Sequence, residues 1–112
     1  MTGYMVKTLG TSFASRKSGH ELAERLLAIQ QNSEVVSDWT GVIVISHSFA
    51  DEFLTSMTLK VRKVMLVNLA PGVSEVFMAV SARRNQQVLG QTTDSPKKQS
   101  GDRKSLTLAL AG

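Results

Sequence analysis

The residues best suited to chemistry in this 112-residue chain lie together in the segment Ser46-His47-Ser48-Phe49-Ala50-Asp51-Glu52-Phe53. Ser48 precedes Asp51 by three residues, which predicts a capping box in which Ser48 is the helix N-cap and Asp51 reaches back to the Ser48 N–H. A phosphoryl group on such a serine would lie at the positive end of a helix dipole, among unpaired backbone donors. The pattern alone favours a structural cap, and phosphorylation is the alternative.

The same segment does not predict catalysis. Ser48, His47 and Asp51 are close neighbours in sequence, and such neighbours rarely converge in the geometry of a catalytic triad; no G-x-S-x-G motif surrounds the serine. Asp51 and Glu52 face different directions on a helix, so they form a poor acid–base pair. His47 is expected to be a hydrogen-bonded surface group. We therefore predict no catalytic residues and no enzyme.

A second candidate site lies before the first predicted helix. In a parallel sheet the loops that precede the two helices meet at the carboxyl edge of the strands, where ligands bind. Near Ser48, this edge could hold a phosphate or nucleotide. The predicted anion-binding residues are Arg16, Ser18 and Gly19. The alternative is that Arg16 pairs with Asp51 or Glu52 and fixes the loop, since no phosphate-loop motif surrounds these residues.

The composition excludes several classes of site. Cysteine is absent, which rules out disulfides and thiolate metal ligands, and the two histidines, His20 and His47, have no partner at metal-ligand spacing. We therefore predict no metal and no cofactor. The longest apolar run, residues 41–45, is too short to cross a bilayer, and residues 1–15 lack a signal-peptide pattern. These features predict a cytoplasmic protein without a membrane partner.

The net charge of +4 and the pI of about 9.8 raise the question of nucleic acid. Residues 1–85 hold nine Lys or Arg against seven Asp or Glu, so the predicted folded part is only slightly basic. Aromatic residues make up 5% of the chain and do not alternate with basic ones as a base-stacking surface requires. The charge therefore indicates solubility more than a ligand.

Hydrophobic periodicity predicts how these sites are positioned. Strands are predicted at 4–9, 34–39 and 64–69, and helices at 18 to about 31, 48–58 and from Pro71 onward. Residues 42–45 are either a buried parallel strand or a buried loop. The order β-α-β-α-β-α predicts an α/β fold with a small, mostly parallel sheet and helices packed on it. Trp39 is expected to anchor the core.

The last quarter of the chain differs from the rest. Residues 86–105 are rich in polar residues and Gly, which predicts a domain at 1–85 followed by a flexible tail at 86–112. Residues 105–110 return to alternating leucines and form a candidate edge strand.

Three short segments carry a resemblance to a known family. Residues 15–22 contain S-R-x-x-G-x-x-L, residues 38–42 contain D-aromatic-x-G-V, and residues 48–52 read S-F-A-D-E. Together and in this order they resemble the bacterial STAS-like family of unknown function, which is related to the STAS domains of anti-sigma-factor antagonists. The resemblance covers residues 5–85. In place of the Asp-Ser-Ser-Gly common in antagonists, this chain has Ser46-His47-Ser48-Phe49.

The resemblance implies a regulatory domain that works by partner switching. A histidine-kinase-like ATPase would bind the unmodified domain and phosphorylate Ser48, whose added charge would weaken the complex. The implied partner-binding residues are Ser46, His47, Phe49, Asp51 and Glu52. Two other functions stay open: a nucleotide- or phosphate-binding module at the strand edge, and nucleic-acid binding through the basic tail. The sequence does not decide between a monomer and a homodimer.

Overall fold

The computed structural model describes residues 4–29, 34–84, 87–93 and 104–110. The elements in chain order are β1 (Tyr4–Met5), β2 (Ser12–Phe13), α1 (Arg16–Ile29), β3 (Glu34–Asp38), β4 (Val44–Ile45), α2 (His47–Thr58), β5 (Lys63–Leu69), α3 (Pro71–Arg83), β6 (Gln87–Thr93) and β7 (Lys104–Ala109). A single 3-10 turn, Val6–Thr8, follows β1, so the first strand is shorter than the predicted 4–9.

Two sheets organise these elements. The larger has the order β1-β3-β5-β7-β6, in which β1, β3 and β5 run parallel while β7 is antiparallel to both of its neighbours. The smaller is a parallel pair, β2 and β4. The predicted α/β fold, with a mostly parallel sheet and three helices packed on it, is confirmed.

One face of the larger sheet packs against the helices. In the central strands, buried residues alternate with half-exposed ones, as expected when only one face of a sheet is covered. The buried set is Val35, Ser37, Val64, Leu66, Leu69, Leu106 and Leu108.

Trp39, which follows β3, joins the sheet to the helix layer. The side chain is fully buried, and its ring makes edge-on contacts with Phe53 of α2 and Phe77 of α3, with centroids 5.8 and 5.1 Å away. The indole N–H donates to the hydroxyl of Ser37 at 2.8 Å, which satisfies a polar group that would otherwise be buried unpaired. The predicted role of Trp39 as a core anchor is confirmed.

The run 42–45 is not a buried parallel strand of the main sheet. Val42 and Ile45 are buried, but the side chains between them are open to solvent, with Ile43 68% exposed. After the turn at Gly41, whose φ is +88°, the chain pairs with β2: the N–H of Ile43 donates to the carbonyl of Thr11 at 2.8 Å. Only the first and last residues of the run therefore reach the core, and the apolar composition was misleading.

The predicted domain at 1–85 with a separate flexible tail at 86–112 is wrong for 87–93 and 104–109, which form β6 and β7. Within the sheet, β7 lies between β5 and β6, and its leucines Leu106 and Leu108 are buried. The strand expected at 105–110 is thus present, but it is internal and not an edge. Polar residues at alternate positions give β7 a mixed composition, yet they leave its apolar face intact. The rest of the predicted tail lies outside the described residues.

Candidate functional site

Ser46, and not Ser48, is the N-cap of α2. Its backbone is extended (φ −92°, ψ 163°), and its Oγ accepts a hydrogen bond from the N–H of Phe49 at 3.0 Å. The same hydroxyl donates to the carbonyl of Ala14 at 2.7 Å, which fixes the helix start against the chain before α1. The predicted capping role of Ser48 is therefore wrong: Ser48 is the second residue inside the helix.

The first turn of α1 is built in the same way. The N–H of Ser18 donates to Oγ of Ser15 at 3.1 Å, and Ser15 Oγ donates to the Ser18 hydroxyl at 3.0 Å. Ser15 therefore caps a helix that begins at Arg16, two residues before the predicted start at residue 18. The last helical residue is Ile29; the predicted end near Gln31 lies outside the described residues.

Ser48 has the accessibility that a modification site needs. The residue is exposed, and within the described part of the chain its hydroxyl makes no hydrogen bond. His47 beside it is exposed as well. The Ser48 side chain is therefore open to solvent on the first turn of the second long helix.

Phe49 is wrongly placed among the partner-binding residues. It is fully buried, and its ring stacks on that of Phe13 with centroids 4.9 Å apart, so a partner cannot reach it. It belongs to the apolar face of α2, whose residues recur at helical spacing. The other members of that face, Ala50, Phe53, Leu54 and Met57, are also fully buried.

Asp51 joins all three helices through two arginines. Its Oδ2 accepts from Nη1 of Arg16 in α1 at 2.8 Å, and its Oδ1 accepts from Nη1 of Arg84, just after α3, at 3.0 Å. Nη1 of Arg84 also donates to the hydroxyl of Thr55 at 2.7 Å. The carboxylate therefore does not reach back to the Ser48 N–H as predicted. The alternative in which Arg16 pairs with Asp51 is confirmed, with Glu52 further away at 3.7 Å.

These contacts hold Asp51 in its ionised form. The hydrogen bond from Arg16 lowers the pKa of Asp51 most, and the hydrogen bond and charge of Arg84 add to that effect against partial burial. The same hydrogen bond raises the pKa of Arg16. At neutral pH the site therefore contains a carboxylate between two guanidinium cations.

A shallow open cleft of about 460 Å³ lies beside Ser48. It is lined by Arg16, His47, Ser48, Asp51, Arg83 and Arg84. Three guanidinium groups thus face one carboxylate, an excess of positive charge that suits an anion. Sequence reasoning missed the two arginines after residue 82. The adjacent Arg-Arg pair was the available signal, but its distance in sequence from Ser48 hid the proximity.

Arg16, Ser18 and Gly19 do not form one anion site. Gly19 is buried where α1 crosses α2, and a Cβ atom there would lie 2.5 Å from the carbonyl oxygen of Phe49. Ser18 lines a different cleft, of about 640 Å³, next to Leu9 and Phe13. The predicted trio is therefore wrong as a set, because consecutive residues on a helix point in different directions.

A second polar cluster, which the sequence did not predict, links α1 to α2. Nδ1 of His20 lies 3.1 Å from the hydroxyl of Ser56, and its Nε2 lies 3.2 Å from a carboxylate oxygen of Glu24. Ser56 also donates to Glu52 at 3.4 Å. The order serine, histidine, glutamate is that of a nucleophile and its base, but Ser56 is only 8% exposed. The cluster therefore serves to join the helices.

The described residues contain neither a metal-binding cluster nor a membrane-spanning helix. Their His, Asp and Glu side chains nowhere form a group of three or more that could hold a metal ion. None of their helices has the length and apolar content needed to cross a membrane.

No protein-family model, curated protein or solved structure matches this chain. The resemblance to STAS-like domains therefore stays a prediction.

Proposed function

We propose that this chain is a non-catalytic, cytoplasmic regulatory domain that acts by protein–protein partner switching, with Ser48 as the controlling residue. The observation that carries the proposal is the exposed Ser48 hydroxyl, which has no hydrogen bond to any residue that the structure describes, on the first turn of a helix whose opposite face is fully buried. A change at this residue alters the surface without disturbing the core.

The surrounding surface is suited to docking. His47 and Ser48 are exposed, while Asp51 and Glu52 are about 30% exposed and held by contacts with α1. Because Asp51 also bonds Arg84, the three helices present this surface as a preformed unit. A preformed surface loses little conformational entropy on binding, which favours recognition by a partner.

The proposed control is phosphorylation by a histidine-kinase-like ATPase. The γ-phosphoryl group of ATP would be transferred to Oγ of Ser48, with the P–O bond to ADP broken and the hydroxyl proton released. The phosphoserine would carry a charge of about −1.5 to −2 at pH 7. A partner that docks on the unmodified surface would then meet a dianion, and its affinity would fall.

The test combines incubation with candidate ATPases, mass spectrometry and pull-down. We expect a phosphate on Ser48 and weaker capture of the ATPase by Ser48→Asp than by wild type, with Ser48→Ala still captured. Lys60→Gln is the matched control, because it changes the net charge by the same amount at the exposed far end of α2. If neither Ser48 variant alters binding to any partner found, the switch is rejected.

The excess of guanidinium groups in the cleft supports a second candidate function, binding of a phosphate or nucleotide. Here the expected result is a rise in Tm with millimolar ligand that disappears in Arg16→Ala. No shift at that concentration would count against this function and would leave partner switching unaffected.

A further inference from the structure

Two arginines near the carboxyl end of α3 line the same cleft as Ser48, and the proposed partner switching gives neither of them a role in contacting a phosphoryl group. Arg83 is exposed and, among the described residues, has no ion pair. Arg84 binds Asp51 and Thr55 through Nη1 alone, and its Nε is buried without a hydrogen-bond partner in the described part of the chain. Arg83 therefore has unused donors at the cleft that Ser48 lines, and Arg84 brings a second guanidinium charge to the same cleft.

We propose that a phosphoryl group on Ser48 is captured within the same molecule by the guanidinium groups of Arg83 and Arg84. This inference rests on the proposed function, because it requires that Ser48 is modified. Phosphorylation then does more than add charge to α2: it ties the start of α2 to the end of α3.

The position of Asp51 supports this capture. Residues three apart on a helix are neighbours on its surface, with Cβ atoms about 5–6 Å apart, so Ser48 and Asp51 share one stripe of α2. The Asp51 carboxylate already reaches Arg16 at 2.8 Å and Arg84 at 3.0 Å. A phosphoserine one turn earlier carries more charge and three acceptor oxygens, and it meets the same cations together with Arg83.

Repulsion from nearby carboxylates opposes the capture, but it is weaker than the attraction from the guanidinium groups. Asp51 is the single carboxylate that lines the cleft among the described residues, and it is already bonded to two cations; Glu52 lies 3.7 Å from Arg16. Guanidinium groups bind phosphate oxygens in pairs and stay charged at every accessible pH. Three of them therefore outweigh the neighbouring negative charges.

The capture changes what a partner meets. In the unmodified protein the cleft presents an excess of cations. With the phosphoserine bound, Arg83 and Arg84 are occupied and the surface is close to neutral. A partner that needs free guanidinium groups is thus released even where the phosphate itself does not touch it.

The experiment places phosphoserine at position 48 by genetic encoding, so neither a kinase nor a partner is required. The ³¹P chemical shift is followed against pH, and intact mass confirms the modification. We expect a titration midpoint about 1 pH unit below the ordinary value of about 6, because nearby cations favour the dianion. We also expect Arg83→Gln to move the midpoint back toward that value, while Arg62→Gln, which removes an exposed arginine in another loop, leaves it in place.

Thermal unfolding gives an independent readout. The phosphoserine should raise Tm in the wild-type background and not in Arg83→Gln, whose exposed position leaves the fold of the unmodified variant intact. A wild-type midpoint at or above about 6, or a midpoint that Arg83→Gln does not change, would overturn the capture. That result would reject the capture alone, and the Ser48 pull-down would still test partner switching. A failed pull-down together with a lowered ³¹P midpoint would reject partner switching and retain the capture.

Discussion

The first turns of α1 and α2 are alike in construction and differ in what covers them. Each is capped by a serine, Ser15 or Ser46, and each has a second serine inside the turn, Ser18 or Ser48. In α1 the second serine is half-buried and bonded to its cap, and Gly19 behind it lies under α2. In α2 the second serine is exposed. The same local pattern thus gives a packed turn in one helix and an accessible turn in the other.

The difference comes from the direction in which each turn faces. The first turn of α1 packs on the first half of α2, at residues 49–53, whereas the side of α2 that carries Ser48 faces a cleft shared with the end of α3. The close packing of α1 predicts that stability depends on side-chain volume there. The open cleft beside α2 predicts that charge changes there alter the surface more than the core.

The largest effect is expected for Gly19→Ala. A Cβ atom would lie 2.5 Å from the Phe49 carbonyl oxygen and 3.0 Å from the Phe53 nitrogen, so the two helix backbones must separate. We expect a loss of about 2 kcal/mol in the free energy of unfolding, measured in urea. Gly72→Ala is the control: nothing lies within 4 Å of its Cβ position, so it should be neutral or slightly stabilising. Equal effects at both glycines would contradict the close crossing of α1 and α2.

Ser46→Ala should have the next largest effect. It removes the acceptor for the Phe49 N–H and the donor to the Ala14 carbonyl, which should cost about 1 kcal/mol. Ser48→Ala removes no hydrogen bond seen in the described residues and should change the free energy of unfolding by less than about 0.5 kcal/mol. The reverse order, measured by thermal unfolding, would show that Ser48 is the cap after all.

The smallest effect concerns the Asp51 contacts. At neutral pH, Asp51→Asn should lower the free energy of unfolding by less than about 1 kcal/mol, because the carboxylate is partly exposed and its pairs are screened. Since the folded-state pKa of Asp51 is lowered, the wild-type advantage is fully present above the unfolded value of about 4 and is lost as the pH falls through the folded-state pKa.

The measurement is urea unfolding of both proteins between about pH 2 and 7, the range over which carboxylates titrate. The control is Glu75→Gln. It neutralises an exposed carboxylate on α3 that has no ion pair among the described residues, so it should not reduce the pH dependence of the free energy of unfolding. A wild-type advantage that stays constant down to about pH 2 would mean that the Asp51 charge does not stabilise the fold.

The fold class could be predicted because apolar periodicity is a local property. The stripe at Leu22 and Leu26 in α1 and the apolar run from Val64 to Leu69 in β5 identify buried faces without knowledge of their partners. Prediction failed where the exposure of a residue depends on which distant segment its strand pairs with. Ile43 is as apolar as any core residue, yet it is exposed because its strand pairs with β2 and leaves the main sheet.

The candidate site likewise has one part that the local sequence predicts and one part that depends on tertiary packing. That Ser48 lies at the start of a helix follows from the residues around it, although choosing Ser46 as the cap required the backbone angles and the contact with Ala14. That Arg83 and Arg84 share its cleft follows only from the packing of α3 against α2. Nothing in the sequence close to Ser48 indicates them.

The sequence by itself therefore determined where the three helices and the strands β3 and β5 form and which of their sides is apolar, because these depend on residues a few positions apart. Only the tertiary structure decided that β7 lies inside the sheet, that Gly19 touches the backbone of α2 and that three arginines line one cleft with Ser48. Those features join residues distant in the chain, and they come together through the burial of a shared core, which depends on all of the segments at once.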